Sequence, residues 1–430
     1  MKLFLQAVFF LFLSTLTTQG QRICGATAYK EAMLKADPSL TEVFTKIENQ
    51  IIATVNNKNV ALRDTSSNEI IFIPVVIHLL YKNAAENISD AQIKSQLDVL
   101  NKDFNMLNSD RANTPQAFKG LAGDAKIQFC LARVDTEGRS TSGIDRKYTN
   151  QDLFTTDDEM KMVNKGGAAS WDSKRYLNIW VCRLSSRSLG YATPPGAAAD
   201  VDGIVMAYDV FGTTGTLRAP FNKGRTATHE VAHWLGLIHI WGDASCGDDH
   251  VADTPPQQSY NFGCPTFPKV SNCSKDNNGD MFMNFMDFSD DACMNMFTKG
   301  QVKRMRALFA QGNLRNSFLS SSACDSLVSE AAPLPALPVS EEVVKLPAVS
   351  LASLKVYPNP VNGVTTIECK GATELTAKTL RIFNGLGINI FTTRLIRERT
   401  TINLSNLKPG IYIAQIGDGQ DKSTLKIIKQ

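Results

Sequence analysis

The stretch Thr228-His229-Glu230-Val231-Ala232-His233-Trp234-Leu235-Gly236-Leu237-Ile238-His239 constrains this chain more than any other, because it holds three of the five histidines. On a helix, His229 and His233 lie four residues apart, so both imidazoles leave the same face and can share one ion. Glu230 stands beside them, placed to hold a metal-bound water and not the metal itself. Gly236 lets the chain leave the helix through a left-handed conformation that a Cβ resists, and the turn brings His239 round as a third ligand. Three nitrogen ligands leave zinc one open position, which marks a catalytic site and not a structural one. An amphipathic core helix would account for Val231, Leu235 and Ile238, but not for the glycine and third histidine at this spacing.

The N-terminus says where such a site operates. Lys2 precedes an apolar run from Leu3 to Leu13, too short for the ~20 residues that cross a bilayer. Thr18-Gln19-Gly20 then places small residues where a signal peptidase cuts, so residues 1–20 read as a signal peptide. The mature protein is exported, and its nine cysteines can form disulfides. A net charge of +3, with no Lys/Arg cluster interleaved with aromatics, predicts no nucleic-acid partner. At 430 residues the chain exceeds the roughly 250–300 that one core supports, so several domains are expected.

Residues 21–68 read as a pro-segment, charged and helical to about Val60, with few aromatics. Cys24 lies near its start, where a thiolate can take the open zinc position and keep a zymogen silent. An ordinary disulfide is the other reading of that cysteine. Arg63 is a plausible site for the activating cut.

Residues 69–318 carry the catalytic pattern. Ile70–Leu80 is a continuous apolar run, as a strand covered on both faces requires, with His78 as a core histidine. Ser89 caps a helix bearing Ile93, Leu97, Leu100 and Phe104. Strands follow at Ile127–Val134, Tyr176–Leu184 and Gly203–Tyr208. This order predicts an α/β (α+β) sandwich with a twisted mixed sheet ahead of the zinc helix. Cys130 and Cys182 sit on two of these strands and are expected to pair. Gly190-Tyr191-Ala192-Thr193-Pro194-Pro195-Gly196 cannot be a central strand, because proline donates no ladder hydrogen bond. An edge strand lining a cleft is preferred to a surface loop, with Gly190, Tyr191 and Ala192 binding an extended peptide by strand addition.

Beyond the zinc helix, Cys246, Cys264, Cys273 and Cys293 suit either a structural zinc or two disulfides. The absence of a tight C-x-x-C and the export signal favour disulfides. Asp249, Val251 and Thr254 offer oxygens to calcium, against a plain solvated acidic turn. Met286, in a tight turn, would form an apolar floor beneath the trihistidine site. Thr298 and Gln301 make a capping-box pattern for a helix whose Val302, Met305 and Leu308 face the core.

Residues 319–352 are rich in Ser, Ala and Pro and read as a linker. Residues 353–430 read as a small all-β sandwich of short alternating strands split by turns such as Asn384-Gly385 and Lys408-Pro409-Gly410. No histidine and no acidic cluster there suggests chemistry.

His229 to His239 with Gly236, followed by the turn at Met286, resembles the metzincin metalloproteases, and within them the pappalysin (ulilysin-like, cytophagalysin) family. Ile73-Pro74-Val75-Val76, Leu189-Gly190-Tyr191-Ala192 and Asn284-Phe285-Met286-Asp287 carry the likeness, together with Asp290-Asp291-Ala292-Cys293-Met294-Asn295. It covers about Ile70 to Phe318. The resemblance implies zinc bound by His229, His233 and His239, with Glu230 as general base. It also implies disulfides Cys246–Cys273 and Cys264–Cys293, a pro-segment Arg22-Ile23-Cys24-Gly25 whose cysteine binds the zinc, and calcium near Asp249 to Thr254. Pro256 stands where a relative has an acidic calcium ligand. Relatives usually carry tyrosine two residues after the methionine of the turn; this chain has Phe288, which cannot donate to an oxyanion. Losing one such donor costs roughly 10²–10³ in rate elsewhere, so a weakened peptidase is expected. Tyr357-Pro358-Asn359-Pro360, Gly410-Ile411-Tyr412 and Lys429 resemble the C-terminal sorting domain of the Por (type IX) secretion system, implying passage through the periplasm to the exterior.

Together these readings predict a secreted zinc endopeptidase, made as a zymogen, acting on protein or peptide substrates through a zinc-activated water. A non-catalytic, zinc-binding adhesin is the rival reading, and an intact Glu230 argues against it.

Overall fold

The computed structural model describes residues 24–57, 70–185, 188–274, 277–324, 354–369, 378–383, 389–395, 399–404, 407–416 and 423–430. The signal peptide, Arg63 and the Asn384-Gly385 turn lie outside them. The chain divides into two compact units, Met1–Val328 and Ser329–Gln430.

The first unit opens with two helices, α1 (Ala26–Ala36) and α2 (Leu40–Asn56). A sheet follows, built on β1 (Ile71–Tyr81), whose residues from Ile73 to Leu80 are all buried, as the unbroken apolar run requires. β1 is long enough to hold two neighbours on one edge: β2 (Ile127–Leu131) along its first half and β3 (Ile144–Tyr148) along its second. On the other edge come β4 (Leu177–Cys182), then β6 (Gly203–Ala207), then β5 (Gly190–Ala192) at the rim. All pairs are parallel except β5 with β6, so the sheet is mixed. β3 carries no apolar alternation and was not legible as a strand. His78 is a core residue, stacked on Trp180 at 5.2 Å and hydrogen-bonded to Asn178 at 2.9 Å.

Helix α3 (Asp90–Asp103) packs on the sheet, and the Ser89 hydroxyl accepts the Gln92 N–H at 3.1 Å. Helix α4 (Arg225–Trp234) is buried along its whole length. Helix α5 (Lys299–Ala307) opens with a complete capping box between Thr298 and Gln301.

The strand order corrects one expectation. Cys130 is bonded to Cys324 and not to Cys182, which is a buried free thiol. Cys130 lies on β2 and Cys182 on β4, with β1 between them. Two strand spacings come to roughly 9–10 Å, beyond the ~7 Å between Cα atoms that a disulfide spans. The same bond moves a boundary: Ala323 is buried and Cys324 is tied to the sheet, so the packed unit continues past 319, where the composition suggested a linker.

The second unit holds a four-stranded antiparallel sheet and a three-stranded one, from β7 (Leu354–Tyr357) to β13 (Ser423–Lys429). Val361, Ile367, Leu380, Ile382, Ala414 and Ile427 form its core.

Candidate metal centre and cleft

Helix α4 presents His229 and His233 from one face, and its exit carries the third histidine. The helix ends in a Schellman turn: the Gly236 N–H reaches His233 O (2.8 Å) and the Leu237 N–H reaches Ala232 O (3.0 Å). Gly236 has φ +82°, the left-handed conformation this motif demands. The chain reverses there, and His239 faces back toward the helix.

The three Nε2 atoms converge. His233 Nε2 lies 3.0 Å from that of His229 and 3.1 Å from that of His239. Each Nδ1 is engaged on the far side of its ring: His229 with Phe285 O (2.7 Å), His233 with Leu237 O (2.8 Å), and His239 with the Asp243 carboxylate. A proton held on each Nδ1 leaves each Nε2 lone pair aimed inward, as metal ligation requires. Burial, and after it the adjacent His239, keep His233 well below the ordinary histidine pKa, hence neutral. Nitrogens bound to one zinc at roughly 2.1 Å stand about 3.4 Å apart in a tetrahedron, so this ring fits a zinc ion with small adjustment.

The Cys24 thiol completes the group. Its Sγ and one nitrogen from each histidine all lie within 4.8 Å of one another. The thiol also stands 3.5 Å from Glu230 Oε2, as donor to it. Burial and the neighbouring carboxylate raise the thiol pKa well above its usual value. The backbone holds the cysteine in place: Cys24 bridges Gly190 in the parallel sense, and the Gly25 N–H donates to Gly190 O at 2.9 Å. The outer edge of β5 is therefore occupied by the chain's own N-terminal segment. Gly190 has no room for a side chain, since a Cβ would lie 2.8 Å from Val205 O and 3.2 Å from Glu230 Cγ. Tyr191 and Ala192 are buried, the Tyr191 ring lying 4.8 Å from that of Tyr29 in the N-terminal segment.

The Met286 side chain is fully buried, and its carbonyl accepts the Ile240 N–H at 3.2 Å. Asn284 Oδ1 accepts the Met286 N–H at 2.9 Å, which tightens the turn. Phe288 packs edge-on to His239 (4.9 Å between ring centroids) and against Trp241 (4.8 Å). Cys246 is bonded to Cys273 and Cys264 to Cys293, the two pairings that the resemblance implies. Asp249, Val251 and Thr254 come together: Asp249 Oδ1 accepts from the Val251 N–H (3.1 Å) and the Thr254 hydroxyl (2.8 Å). Asp249 Oδ2 is buried with no hydrogen-bond partner among the described residues, and burial raises this carboxyl to about 7.

Some participants were not foreseen from the residues. Asp243 sits four positions after His239, a spacing that could have flagged it. The carbonyls of Phe285 and Leu237 carry no sequence signal at all, because any residue supplies a carbonyl.

Comparison with known proteins finds metalloprotease relatives. Residues 145–310 match the family described as "Pregnancy-associated plasma protein-A", and residues 355–430 match the "Secretion system C-terminal sorting domain". An "Extracellular metalloprotease" of Verticillium alfalfae is 33% identical over 250 residues, 55% of this chain and 76% of the relative. Mature mirolysin of Tannerella forsythia, solved in complex with a cleaved peptide, is 52% identical, with TM-score 0.58, over 59% of this chain and 96% of its own. A promirolysin mutant of the same organism is 48% identical, with TM-score 0.64, over 70% of this chain and 97% of its own.

Proposed function

Because this chain belongs to the pappalysin family of metalloendopeptidases and is secreted, we propose that it is a zinc endopeptidase held silent as a zymogen by Cys24. The observation that carries this reading is the convergence of the Cys24 thiol on the three Nε2 atoms beside Glu230. The proposed divisions are a signal peptide at 1–20, a pro-segment at 21–68, and a catalytic domain from 69 that extends past 318 to Cys324. A shorter linker follows, with the sorting domain at 353–430 leading the chain to the type IX secretion machinery.

His229, His233 and His239 would hold the zinc, with Met286 as the apolar floor beneath them. A zinc bound there supplies a Lewis acid that polarises a peptide carbonyl and acidifies water. The chain's own groups do the rest. Cys24 blocks the position in front of Glu230, so no water is activated while the pro-segment stays. Once it has gone, Glu230 would accept a proton from the attacking water through Oε2, the atom to which the thiol now donates a hydrogen bond. It then delivers that proton to the leaving amine. The outer edge of β5, released from Gly25, takes an extended peptide by backbone hydrogen bonds at Gly190, with Tyr191 and Ala192 holding the strand in place. The mirolysin complex with a cleaved peptide supports a peptide substrate for this cleft. Asp249, Val251 and Thr254 are proposed as a calcium site, supported by the partnerless buried Oδ2.

Peptide hydrolysis by activated protein, with and without a zinc chelator and beside Glu230→Ala, tests the reading. Hydrolysis is expected only in the untreated wild type. Activity that survives both treatments would overturn the zinc mechanism.

A further inference from the structure

Tyr29 lies one helical turn beyond Gly25, its N–H donating to Gly25 O at 2.9 Å, and its side chain enters a slot beside β5. The phenol donates to Asp158 Oδ2. The Tyr191 ring lies 4.8 Å away, tilted by 41°. Lys161 Nζ stands 5.3 Å from the centre of the Tyr29 ring. Tyr29 fills the slot, being only 4% exposed.

The walls of the slot do not depend on Tyr29. Asp158 accepts from the Tyr191 hydroxyl (2.9 Å) and pairs with Lys161 (2.8 Å). Lys161 is buried and also donates to Thr193 Oγ1 (3.2 Å) and Val201 O (2.8 Å). The slot also adjoins the reacting groups, because Tyr191 follows Gly190, where a Cβ would lie 3.2 Å from Glu230 Cγ.

We propose that this slot, once the pro-segment has left, is a specificity subsite for the side chain of a substrate tyrosine. The inference rests on the zymogen reading above. Three features select this ligand. An ammonium over the ring face favours an aromatic group. The part-buried carboxylate demands a donor at the far end of that ring; phenylalanine would leave it one short. A lysine or arginine would bring a second cation against buried Lys161, whose charge already offsets that of Asp158.

The test uses the activated enzyme, obtained by cleaving the full chain, on matched peptides carrying Tyr, Phe, Leu or Lys at each position around the cut. At one position kcat/KM is expected to favour tyrosine over phenylalanine by roughly tenfold and over lysine by more. Asp158→Asn should shrink the Tyr-to-Phe ratio, and Lys161→Met should raise lysine relative to tyrosine. If either variant fails to fold, as its melting curve will show, the wild-type ratios decide alone. Ratios near one at every position, a wild-type preference for lysine, or a tyrosine preference undiminished in folded Asp158→Asn would overturn the proposal. The zymogen reading is judged apart from this: full-length Cys24→Ser that stays as silent as wild type would sink that reading, whereas the ratios of the activated enzyme judge the slot.

Discussion

Arg304 on α5 grips Glu48 on α2 with both terminal nitrogens of its guanidinium, and its Nε donates to Gly236 O at 2.8 Å. One buried side chain thus links the N-terminal segment to the turn that ends the zinc helix. Ile51 adds an apolar contact at the same point: its Cδ1 would lie 3.3 Å from a Cβ placed on Gly236. The N-terminal segment is anchored both in front of the histidines and behind them.

Glu48→Ala should loosen that rear anchor and leave Arg304 buried without its carboxylate. The loss is expected to be about 1–3 kcal/mol, read as a lower melting temperature of the uncleaved protein and as measurable activity before any cleavage. Unchanged latency and melting would show that α2 contributes nothing to retention.

Removing the thiol should act at the front anchor. Cys24→Ser, with a poorer ligand for zinc, is expected to hydrolyse peptide without prior cleavage, at a rate well above that of the uncleaved wild type. A chelator should abolish the activity of both. The measurement is a progress curve on full-length protein whose intact mass is checked before and after.

Phe288 faces His239 and offers no proton to an oxyanion. Phe288→Tyr should raise kcat by a factor of up to ~10²–10³ with little change in KM, since a donor to the developing charge acts on the transition state. Equal kcat in the two enzymes would remove this residue from any account of rate.

Calcium should stabilise the protein more as the pH rises. Burial shifts the Asp249 carboxyl from 3.8 to about 7. Without calcium, the stability this group contributes is fully present below about pH 4 and drains away as pH climbs toward 7. A bound calcium needs the ionised form. The rise in melting temperature on adding calcium should therefore be small at pH 5 and larger at pH 8, and Asp249→Asn should flatten the difference. An equal rise at both values would rule the site out.

Local spacing made much of this protein legible. Histidines at i and i+4, a glycine at the helix exit, serine and threonine caps and an unbroken apolar run each act over a few residues, so their geometry follows from the backbone alone. The pairings Cys246–Cys273 and Cys264–Cys293 came through likeness to a family and not through spacing. What the residues could not declare is contact between distant segments. The partner of Cys130 depended on which strand lies between β2 and β4. The tautomers of His229 and His233 depend on carbonyls that carry no sequence mark. Tyr29, Asp158, Lys161 and Tyr191 are spread over three segments, with no motif among them, and only the fold makes them one site. The sequence by itself singled out His229, His233 and His239 as candidate ligands of one metal, because they share one helix and its turn. The tertiary structure decided what stands before that metal site and which slot lies beside it, because only packing brings residues far apart in the chain within bonding distance.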